Sequence, residues 1–266
     1  AFSGTVSGAG GEKTGTIGGL KTSNDGTDAA HDINIAVGFA RDYADAAELV
    51  LASALIKQID ATWAVGTNAG GLDTGTVGAS TGYGVYLIRR SDTGVVDVMF
   101  SLDMTASLAT GTLPTNYDEW RLIGCVVTNG SSNIHQYIQV GDYFRSMDGV
   151  LQTVTDATIT SLVYETATLI IPPLCVAIFY ASSENPTGTD SVAEVNVITT
   201  GDTQAASQGY SINAVRSPAN QEGTYGIGSC LVSAASQIDY TGRQIDATYT
   251  IRIHVFGIEM LTRSNP

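Results

Sequence analysis

Acyl-transfer chemistry in this chain would begin at Gly78-Ala79-Ser80-Thr81-Gly82. The run matches G-x-S-x-G, the nucleophile elbow, in which a tight turn lifts a serine hydroxyl towards an acyl carbonyl. An elbow of that kind needs a strand before the serine and a helix after it. Here a glycine-rich loop, 66–82, precedes, and the strand-like Tyr83-Gly84-Val85-Tyr86-Leu87-Ile88 follows. The three histidines, His31, His135 and His254, show no local pairing with Ser80. The sequence therefore argues against esterase chemistry and reads the run as a loop.

Other candidate chemistries fail on similar grounds. Gly8, Gly10, Gly11, Lys13 and Thr14 look phosphate-like, but Glu12 precedes the lysine and no apolar strand leads in, so no P-loop is formed. Asn24, Asp25, Asp28 and Asp32 offer oxygen ligands for Ca²⁺, yet no glutamate closes the loop at EF-hand spacing, and a turn is expected. A glycosidase needs two facing carboxylates. Asp92, Asp97, Asp118 and Glu119 fall in turns or on strand faces, and nothing singles out a pair. Tyr137, Tyr143, Tyr210 and Tyr225 could stack on sugars, but tyrosines in a β-rich chain more often serve rim or core. Cys125, Cys175 and Cys230 are sparse and odd in number, which suits buried free thiols rather than a disulfide framework or a zinc site. His254 beside Arg252 reads as a surface residue. No catalytic, cofactor-binding or metal residue is assigned from the sequence, and no enzyme is expected.

The totals set the class. Of 266 residues, 43% are hydrophobic and 14% charged, which is the composition of a core-forming chain with an unusually neutral surface. A net charge of −14 makes nucleic acid a poor partner, because its phosphates are normally met by lysine and arginine. No apolar stretch reaches 18 residues, so no membrane insertion is expected.

The elements that would position these residues are strands. The stretch 117–145 reads as a hairpin: strand 120–127, an Asn129-Gly130 turn, and a returning strand 134–144. Trp120, Leu122 and Val126 are expected on one face, with Ile123, Cys125 and Val127 on the other. Both faces are apolar, so both must be covered, one by a second sheet and the other by more chain or another subunit. A second hairpin is expected over 83–101, turning at Gly94. Residues 44–62 have mixed signals and are read as two short strands, with a helical turn near 61–65. Further strands are expected at 151–154, 159–163, 168–171, 174–180, 192–198, 210–214 and 227–234. The last strand alternates cleanly: Ala247, Tyr249, Ile251, Ile253 and Val255 against Thr248, Thr250, Arg252 and His254. Many short strands with turns between them, and no fixed-period repeat, indicate an all-β antiparallel sandwich of jelly-roll type. Three parts are expected: an extended glycine-rich arm over 1–18, a β module over 19–150, and a C-terminal β region over 151–266 that packs with the module or forms a second sandwich.

Within 19–150 the chain resembles a module of tailed-bacteriophage virion proteins. The resemblance is carried by Ser23-Asn24-Asp25, Asp32-Ile33-Asn34-Ile35-Ala36, Ala40-Arg41-Asp42 and Leu51-Ala52-Ser53-Ala54-Leu55-Ile56-Lys57. It continues in order through Trp63-Ala64-Val65-Gly66-Thr67, Gly70-Gly71-Leu72-Asp73-Thr74-Gly75 and Arg90-Ser91-Asp92-Thr93-Gly94-Val95-Val96-Asp97-Val98. Trp120-Arg121-Leu122-Ile123-Gly124 and Gly141-Asp142-Tyr143-Phe144 close it. The resemblance implies a virion structural protein, a tail-fibre or receptor-binding appendage, with capsid decoration or a head fibre as the alternative. It implies self-association, expected as a trimer, contact with other tail or capsid proteins and with host surface glycan, and a place in the virion after assembly in the bacterial cytoplasm. A fibre-borne glycan-binding or depolymerase module is the third reading.

Overall fold

The computed structural model describes residues 15–108, 113–156, 163–184, 191–201, 211–217, 226–244 and 250–261. The arm expected over 1–18 lies outside this set except at its end. In chain order the first half forms β1 (Ile17–Gly19), β2 (Thr22–Asn24), β3 (Asp32–Ile35), β4 (Gly38–Arg41), β5 (Glu48–Leu51), β6 (Leu55–Thr62), β7 (Ala69–Leu72), β8 (Gly82–Arg89), β9 (Val96–Ser101) and β10 (Glu119–Val127). The second half forms β11 (Tyr137–Val140), β12 (Tyr143–Ser146), β13 (Gln152–Asp156), β14 (Glu165–Thr168), β15 (Val176–Glu184), β16 (Ser191–Thr199), β17 (Ser211–Ser217), β18 (Gly226–Leu231), β19 (Gln237–Gln244) and β20 (Thr250–Glu259). The all-β expectation holds.

The strands make four sheets, ordered β1-β4-β5, β10-β8-β9-β7-β6-β3-β2, β11-β12-β20-β15-β18 with β13 also on β20, and β14-β19-β16-β17. Pairing is antiparallel except for β7, which runs parallel to both β6 and β9. Residues 44–62 are strands, as expected, but no helical turn follows at 61–65, where β6 runs on to Thr62. The β8–β9 hairpin forms as expected and turns at Gly94, whose φ is +73°.

The seven-stranded sheet lies between two cores. On one face Tyr83, Val85 and Leu87 of β8, with Ile123 and Val126 of β10, pack with Ala40, Leu49 and Leu51 of the three-stranded sheet. On the other, Tyr86, Ile88, Leu122, Cys125 and Val127 join a larger core with Phe144, Ala177, Phe179, Ile253 and Val255 of the second half. Each fully buried aliphatic or aromatic side chain contributes about 1.5–3 kcal/mol. The two-faced strands are therefore covered on both sides by their own chain: of the two covers expected for β10, more chain or another subunit, the structure shows the first. Close approach makes this possible: a Cβ on Gly82 would sit 2.2 Å from the Ile170 carbonyl oxygen.

The hairpin expected over 117–145 is also corrected. The β10 strand pairs with β8, and among the described residues the strand pairing between its end and the returning chain is one isolated bridge, Thr128 with Ile134. Residues 137–146 instead form their own hairpin, β11–β12, turning at Gly141 with φ +60° and belonging to the six-stranded sheet. A bulge between Leu122 and Gly124 shifts the alternation of β10. Leu122 thus faces the same core as Cys125 and Val127, while Val126 joins Ile123.

All three cysteines are free and buried, as expected. Burial pushes the Cys125 thiol up to about 12. In β20, Ile251, Ile253 and Val255 are buried and Arg252 and His254 are half-buried, the expected alternation; residues 247–249 lie outside the described set. The strand expected at 159–163 has 159–162 outside that set too. The strand expected at 168–171 is displaced to β14, and β19 was not expected at all.

Candidate functional site: a serine–histidine–aspartate recess and an exposed sheet face

The loop before β8 is pinned to the chain that follows β10. Thr128, fully buried, donates its hydroxyl to the Gly78 carbonyl at 2.6 Å and accepts from the Thr81 N–H at 3.0 Å. The Thr128 N–H in turn bonds the Thr81 carbonyl at 2.8 Å, and the Ser80 N–H bonds the Asn129 carbonyl at 2.8 Å. These bonds hold Ser80 at φ +48°, in the left-handed region that a serine seldom adopts. No helix follows Ser80; β8 does, as the sequence indicated.

The second side chain arrives through the Asn129-Gly130 turn. The Asn129 carboxamide oxygen accepts from the Ser131 and Asn133 N–H groups at 2.9 and 3.2 Å, closing the turn. The His135 N–H then bonds the Val127 carbonyl at 2.9 Å. His135 Nδ1 lies 2.8 Å from Asp148 Oδ1, just beyond β12. The other oxygen of Asp148 accepts from the Gln136 N–H at 2.9 Å, and Ser146 donates to Oδ1 at 3.1 Å. Desolvation pushes the Asp148 carboxyl up, but the Gln136 N–H, His135 and Ser146 outweigh it and hold it below the usual carboxylate range. In the neutral imidazole, an ionised Asp148 takes the Nδ1–H, and Nε2 is then the acceptor.

Ser80, Gly130, His135, Leu151, Thr153 and Ile170 line one open recess. Ser80 is exposed and its hydroxyl makes no hydrogen bond among the described residues. Sequence reasoning noted Ser80 and found no histidine near it, because a nearby histidine was sought along the chain. The link is made by Thr128 and Asn129, and only the Asn-Gly turn hinted that the chain doubles back there.

The remaining sequence candidates are held apart by separate partners. Asp92 pairs with Arg90 at 2.7 Å, Glu119 with Arg89 at 2.5 Å, and Asp118 accepts from the Ser91 N–H at 2.9 Å. Asp97 faces Lys57 at 2.8 Å across the short strand β7, with side-chain exposures of 1% and 0%. Burial lowers the Lys57 pKa, against the opposing pull of Asp97. The Asp25 carboxylate accepts from the Thr27 and Asp28 N–H groups, and Asp28 pairs with His31 at 3.1 Å, so this cluster is a turn. Among the described residues no group of three His, Cys, Asp or Glu side chains could hold a metal ion. Tyr137 packs its ring 6.1 Å from Phe144, and its hydroxyl is buried; Tyr143 is half-buried. Tyr210 and Tyr225, and the glycines and lysine of 8–14, lie outside the described residues.

A second feature is the outer face of the six-stranded sheet. Its inner face supplies core, and its outer face carries apolar side chains among charged ones such as Arg145 and Glu259. Ile138 and Val140 of β11, Met147 beyond β12, and Ile227 and Leu231 of β18 are exposed, Ile227 by 77% and Val140 by 67%. Between them the rings of Tyr180 and His254, opposite each other on β15 and β20, stack at 4.3 Å. Phe256 lies 6.2 Å from Tyr180, and the Arg145 guanidinium lies 5.6 Å over Phe256. His254 is thus half-buried in an aromatic row and also bonds Thr153 at 2.9 Å, where the sequence placed a plain surface residue. Exposed apolar side chains thus lie at both edges of this face, with the aromatic row and the charged Arg145 and Glu259 between them, and exposed apolar patches of this kind mark interaction surfaces.

No protein-family model matches the chain, and no curated protein does. Among solved structures, a chain from a structure of infectious bursal disease virus, Gx strain, aligns with 66% of this chain and 56% of its own length, at 7% identity and a TM-score of 0.18. A chain from the Gt strain of the same virus aligns with 72% of this chain and 57% of its own, at 8% identity and a TM-score of 0.16. This chain thus spans little more than half the length of either. Likeness at that level carries no argument about function.

Proposed function

We propose that this chain is a structural protein of a tailed-bacteriophage particle, an appendage of the tail-fibre or receptor-binding kind, and that it assembles as a homotrimer. The observation that carries the self-association is the outer face of the six-stranded sheet. The two-faced strands β8 and β10 no longer speak for it, since their own chain encloses them. Ile227, Val140, Ile138, Met147 and Leu231 present apolar surface to solvent, and exposed side chains of this kind gain by burial against an equivalent surface. The chain's low charged fraction, 14%, favours such packing. The virion assignment rests on the resemblance over 19–150, carried by the motifs from Ser23 to Phe144.

The test is immuno-electron microscopy of particles with antibody raised against the purified chain. Label at the tail tip supports the appendage reading. Label over the head replaces it with capsid decoration. Particles without label reject both.

A further inference from the structure

The geometry points to a hydrolytic centre in the recess before β8: Ser80 as nucleophile, His135 as general base and Asp148 as the residue that positions His135, acting on esters with a small acyl group. This is independent of the virion reading and stands or falls separately.

Three observations carry it. Ser80 and His135 line one recess although they are far apart in sequence. His135 is bound through Nδ1 to a carboxylate at 2.8 Å, and that carboxylate is itself fixed by the Gln136 N–H and the Ser146 hydroxyl. Ser80 is held at φ +48° by a backbone bond and a buried threonine, and its exposed hydroxyl has no other hydrogen-bonding task among the described residues. A nucleophile, a base and an orienting group are recognised by geometry and role, and the same constellation arises on unrelated folds without a strand–turn–helix elbow. Ser80 and His135 are not hydrogen-bonded in this structure; such bonds commonly tighten only when substrate binds.

The reaction balances within these groups. Ser80 Oγ attacks the acyl carbon as its proton passes to His135 Nε2. The tetrahedral intermediate then collapses, the C–O bond to the alcohol breaks, and His135 returns the proton to the departing alkoxide. A water molecule repeats the sequence on the acyl-serine, with His135 again as base, and releases the carboxylic acid and free Ser80. One ester and one water become one acid and one alcohol.

The donors decide the substrate class. The Thr81 N–H, which follows the nucleophile, is already bonded to Thr128, and the Ser80 N–H to Asn129. Gly130 and Val150 line the recess, and the N–H of each finds no acceptor among the described residues, so these are backbone donors open to an oxyanion. Neither donor comes from the nucleophile's own turn, so stabilisation of the tetrahedral intermediate is limited, which suits an ester rather than an amide. Leu151 and Ile170 offer apolar walls for a short acyl chain, while Thr153 and the open mouth admit a polar alcohol.

The test uses the full purified chain, a fluorophosphonate probe and p-nitrophenyl acetate. The expected result is probe attached at Ser80, located by peptide mass spectrometry, and turnover of p-nitrophenyl acetate that falls at least about 100-fold in Ser80→Ala. Ser80 is exposed, so this variant folds; thermal melting checks that it does. Asp148→Asn separates positioning from mere stability: the probe reaction should slow and its rise with pH should move, because the carboxylate no longer sets the histidine's proton. Absence of probe at Ser80 overturns the proposal, and so does Ser80→Ala turnover equal to that of the unaltered chain.

Discussion

Replacing Lys57 by methionine should destabilise the chain by about 3–5 kcal/mol, the cost of leaving one partner of a buried ion pair alone. Lys57 Nζ lies 2.8 Å from Asp97 Oδ1, and neither side chain reaches solvent by more than 1%. The ammonium also donates to the Ala64 carbonyl at 2.6 Å and sits 5.4 Å from the Trp63 ring centroid. Without it, the Asp97 carboxylate keeps the Gly66 N–H at 2.7 Å and the Val98 N–H at 2.7 Å. Those two donors offset part of the cost and place the expected loss near about 3 kcal/mol. Lys57→Met with Asp97→Leu removes both charges from the same site. Buried pairs exchanged for apolar side chains are commonly neutral or better, so the double variant should recover at least about 2 kcal/mol over the single one. The Gly66 and Val98 N–H groups and the Ala64 carbonyl would then lose a partner, and Gly66 and Ala64 are open enough to take water instead. Urea denaturation at neutral pH, followed by tryptophan fluorescence, reads both, since Trp63 lies against the pair. A single-variant loss under about 1 kcal/mol, or a double variant no more stable than the single, would refute the reasoning.

Three further outcomes follow from packing and protonation. Gly82→Ala drives a Cβ to 2.2 Å from the Ile170 carbonyl oxygen, so the seven-stranded sheet must part from the second half; a loss of about 1–3 kcal/mol is expected, read as a lower midpoint in thermal unfolding. Tyr240, on β19, lies with its hydroxyl 3.4 Å from Asp156 and 3.5 Å from Glu165, the residues that close β13 and open β14. Desolvation, then the neighbouring Asp156, raises the Glu165 carboxyl above its ordinary 4.5. A folded value above the unfolded one means that protonation of Glu165 stabilises the fold below about 4.5 and that this is lost as pH rises through the folded value. Glu165→Gln should therefore flatten the dependence of the melting midpoint on pH in that window, and an unchanged profile would count against a raised Glu165 carboxyl. Ile227→Asp should weaken self-association in sedimentation velocity while leaving the stability of the monomer within about 0.5 kcal/mol, because the side chain is 77% exposed.

Local pattern made much of the fold legible. The alternation of 251–255 and the Gly94 turn between β8 and β9 depend on neighbouring residues alone, and both read correctly. The faces of β10 did not, since a bulge at Ile123 adds one residue and reverses the alternation beyond it, and no local signal marks it. The return of 134–144 onto β10 was misread because both segments have strand character; their partners were chosen by tertiary packing, which gave β8 to β10 and β12 to β11. The strand β19, Gln237–Gln244, is mostly polar with a glycine inside, and it is a strand because β14 and β16 flank it. The cover of β8 and β10 shows the same limit most sharply. Two apolar faces told that both were buried, but not that the second half of the same chain buries one of them. The serine motif was visible in sequence, whereas the histidine beside its recess was supplied by a turn and by the hydrogen bonds that tie Gly78, Ser80 and Thr81 to Thr128 and Asn129.

Sedimentation equilibrium of the purified chain at micromolar concentration tests the central claim most directly. Self-association through the outer face of the six-stranded sheet requires a species of three times the mass of one chain, reduced towards a single chain by Ile227→Asp. A unaltered chain that sediments as one copy across the concentration range, with that face open to solvent, would contradict it.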